Sequence, residues 1–180
     1  VSGAELEVTG GTGATIPAGA EADPALGTDW GKRYTGEDPL DRTFTISNSG
    51  IANLLLDDVV ITGSDAFTIV TAPDAVIGPG DSTTMTIRCA PSAAGNVTAE
   101  ISFSHNAPQS SPFTFTVAAS AGVAWRVAPT GDDDNDGRGW STPFQTLQKG
   151  LQMAQAGDAV WVAAGTYTPG EDQADLFSVN

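Results

Sequence analysis

The chain has 180 residues, of which 40% are apolar, and 22 acidic against 7 basic side chains give it a formal net charge of −15. This negative charge repels phosphate backbones and anionic lipids, so nucleic acids and membrane surfaces are not expected partners. The charge can attract cations such as calcium, or it can serve only to keep the protein soluble. No apolar run reaches the ~18 residues that a membrane-spanning helix needs, so we expect no span.

The first two thirds of the chain predict many short strands separated by turns. Phe44 and Ile46 alternate with threonines, and Asn48-Ser49-Gly50 follows as a turn. Residues 10–40 predict loops. The predicted strands are 4–9, 43–47, 54–56, 59–62, 67–71, 82–89, 97–104 and 113–117. Strands that recur every 8 to 15 residues with turn chemistry between them are typical of an antiparallel sandwich.

The pattern changes after Gly122. A short strand is predicted at 123–127, followed by an acidic loop at 131–137 and a helix at 143–156. Ser141 or Thr142 can cap this helix, and Pro143 suits its first turn. Its apolar stripe consists of Phe144, Leu147, Leu151 and Ala154. A further strand is predicted at 159–163, with 165–167 completing it.

Cys89 is the only cysteine and His105 the only histidine. A lone cysteine forms no internal disulfide, so packing must hold the fold. Cys89 shares a period-2 apolar face with Met85 and Ile87, where cysteine acts as a small buried hydrophobe. A catalytic Cys-His pair is the alternative, and we expect the packing role.

The acidic loop is the metal candidate. Asp132, Asp134 and Asp136 alternate and Gly137 follows, as in the first half of an EF-hand loop. The twelfth position of such a loop is Pro143 instead of glutamate, which excludes a true EF-hand. A simpler calcium turn remains as one interpretation, and a solvated turn whose side chains bond their own backbone is the other.

Other candidate chemistry is weaker. The glutamates and the remaining aspartates suggest no pair of carboxylates across a cleft, so we expect no enzyme activity. Exposed aromatic rings can stack on sugars, but we expect the four tryptophans to serve packing instead; they are Trp30, Trp125, Trp140 and Trp161. Residues 96–98 form a glycosylation sequon that we interpret as incidental.

Two resemblances follow from these residues. Residues 10–122 resemble the bacterial choice-of-anchor D domains, relatives of the ASH (ASPM, SPD-2, Hydin) immunoglobulin-like family. The matching segments are 28–31, 42–50, 61–67, 80–84, 90–95 and 113–117. Residues 125–180 resemble the N-terminal end of secreted right-handed parallel β-helix proteins of the pectate-lyase-like type, through 132–137, 140–149 and 157–167. The resemblance implies that the helix caps the β-helix and that the next strand starts its first coil. That family's catalytic residues lie on later coils, so no residue here inherits them.

The predicted fold is therefore all-β: an immunoglobulin-like sandwich over 1–122 and a helix-capped start of a right-handed parallel β-helix over 123–180. We expect an extracellular or bacterial cell-surface structural module whose open strand edges contact other copies of the chain, head to tail, or a larger β-helix region. Two alternatives stay open. One is an accessory N-terminal part of a secreted β-helix polysaccharide lyase or glycosidase, and the other is a carbohydrate-binding module.

Overall fold

A computed structural model describes residues 3–167, which form two compact units. The first comprises the chain up to Arg33 together with Asp38–Pro91 and Asn96–Ser120, and the second comprises Tyr34–Glu37, Ser92–Gly95 and the chain from Ala121. The described elements are β1 (Leu6–Thr9), a 3-10 helix (Pro24–Leu26), β2 (Asp29–Thr35), β3 (Leu40–Asn48), β4 (Leu54–Leu55), β5 (Val60–Gly63), β6 (Phe67–Thr71), β7 (Val76–Ile77), β8 (Ser82–Cys89), β9 (Gly95–Phe103), β10 (Phe113–Val127), α1 (Leu147–Met153) and β11 (Ala159–Val162).

The first unit is an immunoglobulin-like sandwich, as the sequence predicts. One sheet has the order β1-β3-β8-β6, and all its neighbours are antiparallel. The other contains β10, β9 and β5 in that order, with β2 also paired to β10. A two-stranded antiparallel ribbon, formed by β4 and β7, completes the strands of this unit.

Alternating burial along the strands builds the core between the two sheets. In β3, Phe44, Ile46 and Asn48 are buried while the residues between them are partly exposed, and β8 repeats the pattern with Met85, Ile87 and Cys89. Aromatic rings fill the centre. Phe44 lies 5.4 Å from Phe115, measured between ring centroids. Such side chains contribute most of the burial energy of a small sandwich.

Asn48 fixes the turn that follows β3. Its side-chain amide donates to the carbonyls of Ala52, Ile77 and Gly78, and its Oδ1 accepts from the backbone N–H groups of Glu5 and Gly50. Asn48 is almost fully buried, so these bonds replace water that the side chain loses on folding. The asparagine predicted as a turn residue is thus also a polar anchor of the core.

The second unit contains a parallel strand pair. The end of β10 pairs with β11 in register from Ala124 with Ala159 to Val127 with Val162. Its small core consists of Val123, Trp125, Val127 and Phe144, and the ring centroids of Trp125 and Phe144 lie 5.8 Å apart. That this pair begins a right-handed β-helix stays a prediction, as does the division after Gly122. The part of the predicted cap beyond Tyr167 lies outside the described residues.

Several predicted boundaries are wrong. The helix begins at Leu147 with Thr146 as its N-cap, not near Ser141 or Thr142, and it ends at Met153. Phe144 lies before it, because this residue forms a parallel bridge with Val127. The strands predicted at 113–117 and 123–127 are one strand, β10, and residues 165–167 are not a strand. Strand β2 falls within the predicted loops of 10–40.

Candidate functional site

The acidic loop is held by its own carboxylates. Asp132 Oδ1 accepts from the N–H of Asp134 at 2.9 Å, and Asp136 Oδ1 accepts from the N–H of Arg138 at 3.1 Å and from Thr142 Oγ1 at 2.6 Å. These are local turns of the kind that Asp favours. Gly137 adopts a φ of 64°, and a Cβ at this position would overlap the Phe144 ring, so only glycine fits.

Asp133, between the metal candidates, links the loop to the helix. Its Oδ1 accepts from the N–H groups of Gln145 at 2.8 Å and Thr146 at 2.9 Å, and its Oδ2 accepts from Thr146 Oγ1 at 2.6 Å. Thr146 Oγ1 in turn accepts from Lys149 N–H at 3.2 Å as the N-cap of α1. The carboxylate therefore orders the residue that caps the helix.

The hydrogen bonds lower two carboxyl pKa values in this loop. Partial burial acts to raise the pKa of Asp133, but the bonds from Thr146 and Gln145 favour the charged form and lower it below the ordinary value of 3.8. The bond from Thr142 and the backbone N–H of Arg138 lower the pKa of Asp136. Both groups are thus ionised at neutral pH, with their oxygens already occupied by donors.

The structure does not gather the predicted metal ligands into a cluster. Within residues 3–167 no group of three or more His, Cys, Asp or Glu side chains could hold a metal ion. Calcium binding by Asp132, Asp134 and Asp136 stays a prediction. The hydrogen bonds of Asp132 and Asp136 match the alternative interpretation, a turn whose side chains bond its own backbone.

Strand β11 is held at its start by Asp158. Its Oδ1 accepts from Val123 N–H at 2.8 Å, and its Oδ2 accepts from Trp125 Nε1 and from Gln155 N–H, both at 3.1 Å. The carboxylate thus ties the end of the helical segment and the start of β11 to β10. From the sequence alone Asp158 receives no functional role, although an acidic residue directly before a predicted strand was the available signal.

A buried arginine supports β11 from within the second unit. Arg126 is only 3% exposed, and its guanidinium lies 4.5 Å from the centroid of the Trp161 ring. Its Nη1 donates to the Ala124 carbonyl, and burial lowers its pKa. Tyr34 packs edge-on against Trp161 with ring centroids 5.9 Å apart. This cation–π stack fixes the Trp161 side chain in the middle of β11.

Strand β11 has β10 on one side, and its other side is an open edge among the described residues. The strand is the last in its sheet, where it pairs with β10. Val162 is 44% exposed, and Val160 and Trp161 are half-buried. An open strand edge presents unpaired N–H and C=O groups to a further strand. We define the open side of Ala159–Val162 as the β11 edge, and it is the candidate functional site.

The tryptophans divide into packed and exposed residues. Trp30 and Trp125 are buried, which confirms their predicted packing role, and Trp161 is half-buried against Arg126. The prediction is wrong for Trp140, which is 52% exposed. This exposed ring is the one place where the described surface offers a tryptophan for stacking on a sugar.

Cys89 has the predicted packing role. It is fully buried in β8, and burial raises the pKa of its thiol, which opposes formation of the reactive thiolate. The His105 ring lies within hydrogen-bond distance of the Ser110 carbonyl, at 3.1 Å, and contacts Phe103. These contacts give the two side chains separate structural roles.

No helix within residues 3–167 has the length and apolar character that crossing a membrane requires. The search of curated proteins returned no match.

Two family models match the chain. The model described as "HYDIN/CFA65/VesB-like, Ig-like domain" matches residues 29–120, which is 92 of the 180 residues. The model described as "Protein of unknown function (DUF1565)" matches residues 129–175. The first match covers most of the sandwich, and the second includes the acidic loop, α1 and β11.

Solved structures also resemble the chain. A protein of unknown function from Porphyromonas gingivalis W83 is 23% identical with a TM-score of 0.50, over 66% of this chain and 47% of that one. The secreted serine protease VesC from Vibrio cholerae is 15% identical with a TM-score of 0.43, over 52% and 21%. The ASH/PapD-like domain of human CEP192 is 12% identical with a TM-score of 0.39, over 53% and 82%. The chain thus spans about half of the Porphyromonas protein and a fifth of VesC, and the likeness to the former shows the fold alone.

Proposed function

The chain belongs to the family of HYDIN/CFA65/VesB-like, Ig-like domains, and from this membership we propose that it is a non-catalytic structural module of a secreted or bacterial cell-surface protein. Its sandwich is a spacer, and its β11 edge is the assembly surface. The β11 edge accepts a further strand from another copy of the chain. The alternative source of this strand is a larger β-helix region.

The observation that carries this proposal is the parallel pairing of β11 with β10 at an open edge. The sheet is mixed, because β5 and β9 are antiparallel while β10 and β11 are parallel. Strand β11 is paired on one side only, and its unpaired backbone groups and exposed Val162 favour a partner strand. Contact between the β11 edge of one copy and a different surface of the next is heterologous. Such contacts repeat, and they build filaments when the rotation does not close a ring.

Two matched edge variants test this proposal. Val162 in β11 and Val70 in β6 are both exposed valines on terminal strands of their sheets, at 44% and 46% exposure. A lysine on a strand edge opposes strand pairing. We expect Val162→Lys to remove association, whereas Val70→Lys leaves it unchanged. Sedimentation velocity over a series of concentrations measures the association of the native chain and of each variant, and electron microscopy of the most concentrated samples shows any filaments.

Only a difference between the variants supports the β11 edge as the assembly surface. Monodisperse monomers of the native chain at every concentration would refute self-association. Equal loss of association in both variants would show that added charge, not the β11 edge, controls it. Circular dichroism of each variant confirms that the fold persists.

A polysaccharide-binding role is the second candidate, and the exposed Trp140 favours it. In this case the chain is a carbohydrate-binding module or the accessory N-terminal part of a β-helix polysaccharide lyase or glycosidase. The side chain is 52% exposed and can stack on a sugar ring. A glycan array should then show binding that Trp140→Ala removes and that Met153→Ala, at another exposed apolar residue, preserves. An array without signal would remove this candidate.

A further inference from the structure

Strand β5 forms a second open edge, in the first unit. It is the terminal strand of its sheet, and β9 is its neighbour. The pairing is antiparallel and regular, from Val60 with Ser102 to Gly63 with Ala99. Ser64 extends the register, because its N–H donates to the Thr98 carbonyl at 2.9 Å.

The register determines which backbone groups face the open side of β5. In an antiparallel ladder every second residue exchanges hydrogen bonds with its opposite neighbour. Ser64 bonds to Thr98, so Thr62 and Val60 also point their N–H and C=O groups toward β9. The N–H and C=O groups of Ile61 and Gly63 therefore point away from β9, where an added strand would meet them.

The terminal strands of the opposite sheet are less suited to a further strand. On the outer side of β1, Ile16 N–H donates to the Val8 carbonyl and Gln109 Nε2 to the Leu6 carbonyl. Strand β6 has a register shift between Ile69 and Thr71, and such irregularities oppose edge pairing. The β5 edge keeps one register from Val60 to Gly63. Its irregularities lie at the two ends of the strand: a register shift between Asp57 and Val60, and a φ of 127° at Gly63.

The surroundings of β5 are acidic and partly apolar. Val60 is 54% exposed. Exposed carboxylates lie at both ends of the strand and opposite its centre; they belong to Asp57, Asp58, Asp65 and Glu100. No Lys or Arg occurs between residues 57 and 65. An extended segment with cationic side chains beside apolar ones complements this edge in both charge and backbone hydrogen bonding.

We propose that the β5 edge binds an extended, lysine- or arginine-bearing segment of a partner protein as an added β-strand. Backbone hydrogen bonds from Ile61 and Gly63 hold the segment, Val60 contacts its apolar side chains, and the carboxylates select its charge. This surface lies in the sandwich and is independent of the β11 edge.

Fluorescence anisotropy with defined probes tests the charge selection. The probe is a short labelled peptide in which valine alternates with lysine, and the control peptide carries glutamate in place of lysine. We expect the lysine peptide alone to bind, and more weakly at high salt. The double variant Asp57→Asn/Asp58→Asn should weaken binding roughly three- to tenfold, since surface ion pairs contribute modestly. The matched control Glu5→Gln/Glu7→Gln makes the same change of charge at β1, in the opposite sheet, and should leave binding unchanged.

A pair of substitutions at one residue tests the backbone bonds. Ile61→Pro and Ile61→Ala both remove the half-buried side chain, but only proline also removes the outward N–H group. We expect binding to the alanine variant and none to the proline variant. In the native chain, amide hydrogen exchange should slow at Ile61 and Gly63 when the lysine peptide is added, while Val60 and Thr62 stay as protected as before. The exchange measurement decides the question even if the proline variant does not fold.

Three results would overturn the proposal. One is no binding of the lysine peptide at up to about 1 mM, the range of the weakest specific encounters. Another is equal weakening by the two double variants, which would indicate attraction to the overall charge. The third is protection that spreads over the chain without a maximum at Ile61 and Gly63.

Discussion

Asp133 offers the sharpest test of how the second unit is held together. Substitution by alanine removes the acceptor of three hydrogen bonds, from Gln145 N–H, Thr146 N–H and Thr146 Oγ1. A hydrogen bond to a charged group contributes about 1.5–3 kcal/mol, but the side chain is half-buried and water replaces part of the loss. Loss of a helix cap costs about 0.5–2 kcal/mol. Because Asp133 positions the capping residue, we expect Asp133→Ala to lower the free energy of unfolding by about 2–3 kcal/mol.

Urea unfolding followed by tryptophan fluorescence measures this loss, because three of the four tryptophans lie in the second unit. With an m-value of about 2 kcal/mol/M, the midpoint should fall by about 1–1.5 M. Asp133→Asn retains one acceptor oxygen and should cost about half as much. Asp134→Ala, at an exposed side chain in the same loop, should stay within about 0.5 kcal/mol of the native chain. An effect of Asp133→Ala no larger than that of Asp134→Ala would refute the reasoning.

Three further predictions concern pH, the thiol and calcium. The pKa values of Asp133 and Asp136 are lowered in the folded chain, so these carboxylates stabilise it above pH 3.8, their ordinary pKa, and this contribution is lost as the pH falls below that value. The stability of Asp133→Asn in acid should therefore depend less steeply on pH than that of the native chain. An unchanged slope would contradict this prediction. Cys89 should not react with a thiol reagent in the native chain and should react fully in urea, because it is buried and its pKa is raised; rapid native reaction would be inconsistent with the packing role. The calcium prediction requires that excess calcium raise the unfolding midpoint and that Asp132→Asn/Asp134→Asn remove the rise, whereas a midpoint insensitive to calcium would eliminate it.

The sandwich was largely predictable because its strands are half-buried. A strand with one face in the core and the other in water alternates in sequence, and β6 and β8 have the bounds that this alternation predicts. Strand β2 was missed for the opposite reason. Its residues Gly31 and Lys32 are both exposed, so the alternation is broken and its pairing with β10 defines it as a strand.

The helix boundary was not predictable from local sequence. Ser141-Thr142-Pro143 has the composition of a helix start, but Thr142 bonds to Asp136 and Phe144 bridges to Val127. The cap at Thr146 is ordered by Asp133, which lies 13 positions earlier in the chain. Contacts of this range outweigh local capping preferences.

The candidate site was only partly predictable. The expectation of open strand edges came from the resemblance of residues 125–180 to the start of a β-helix, whereas the pattern of residues 159–163 predicted only a strand, and the structure places β11 there. The buried Arg126 had no signal in the sequence, because an arginine in a strand is ordinarily exposed. Its partner Trp161 lies in another strand, and packing alone brings the two together.

Amide hydrogen exchange of β11 at increasing protein concentration tests the assembly role most directly. If a second copy covers the β11 edge, exchange within Ala159–Val162 should slow as the concentration rises, and Val162→Lys should abolish the slowing. Exchange at β11 that is the same at every concentration, in the native chain and in the variant alike, would contradict the account.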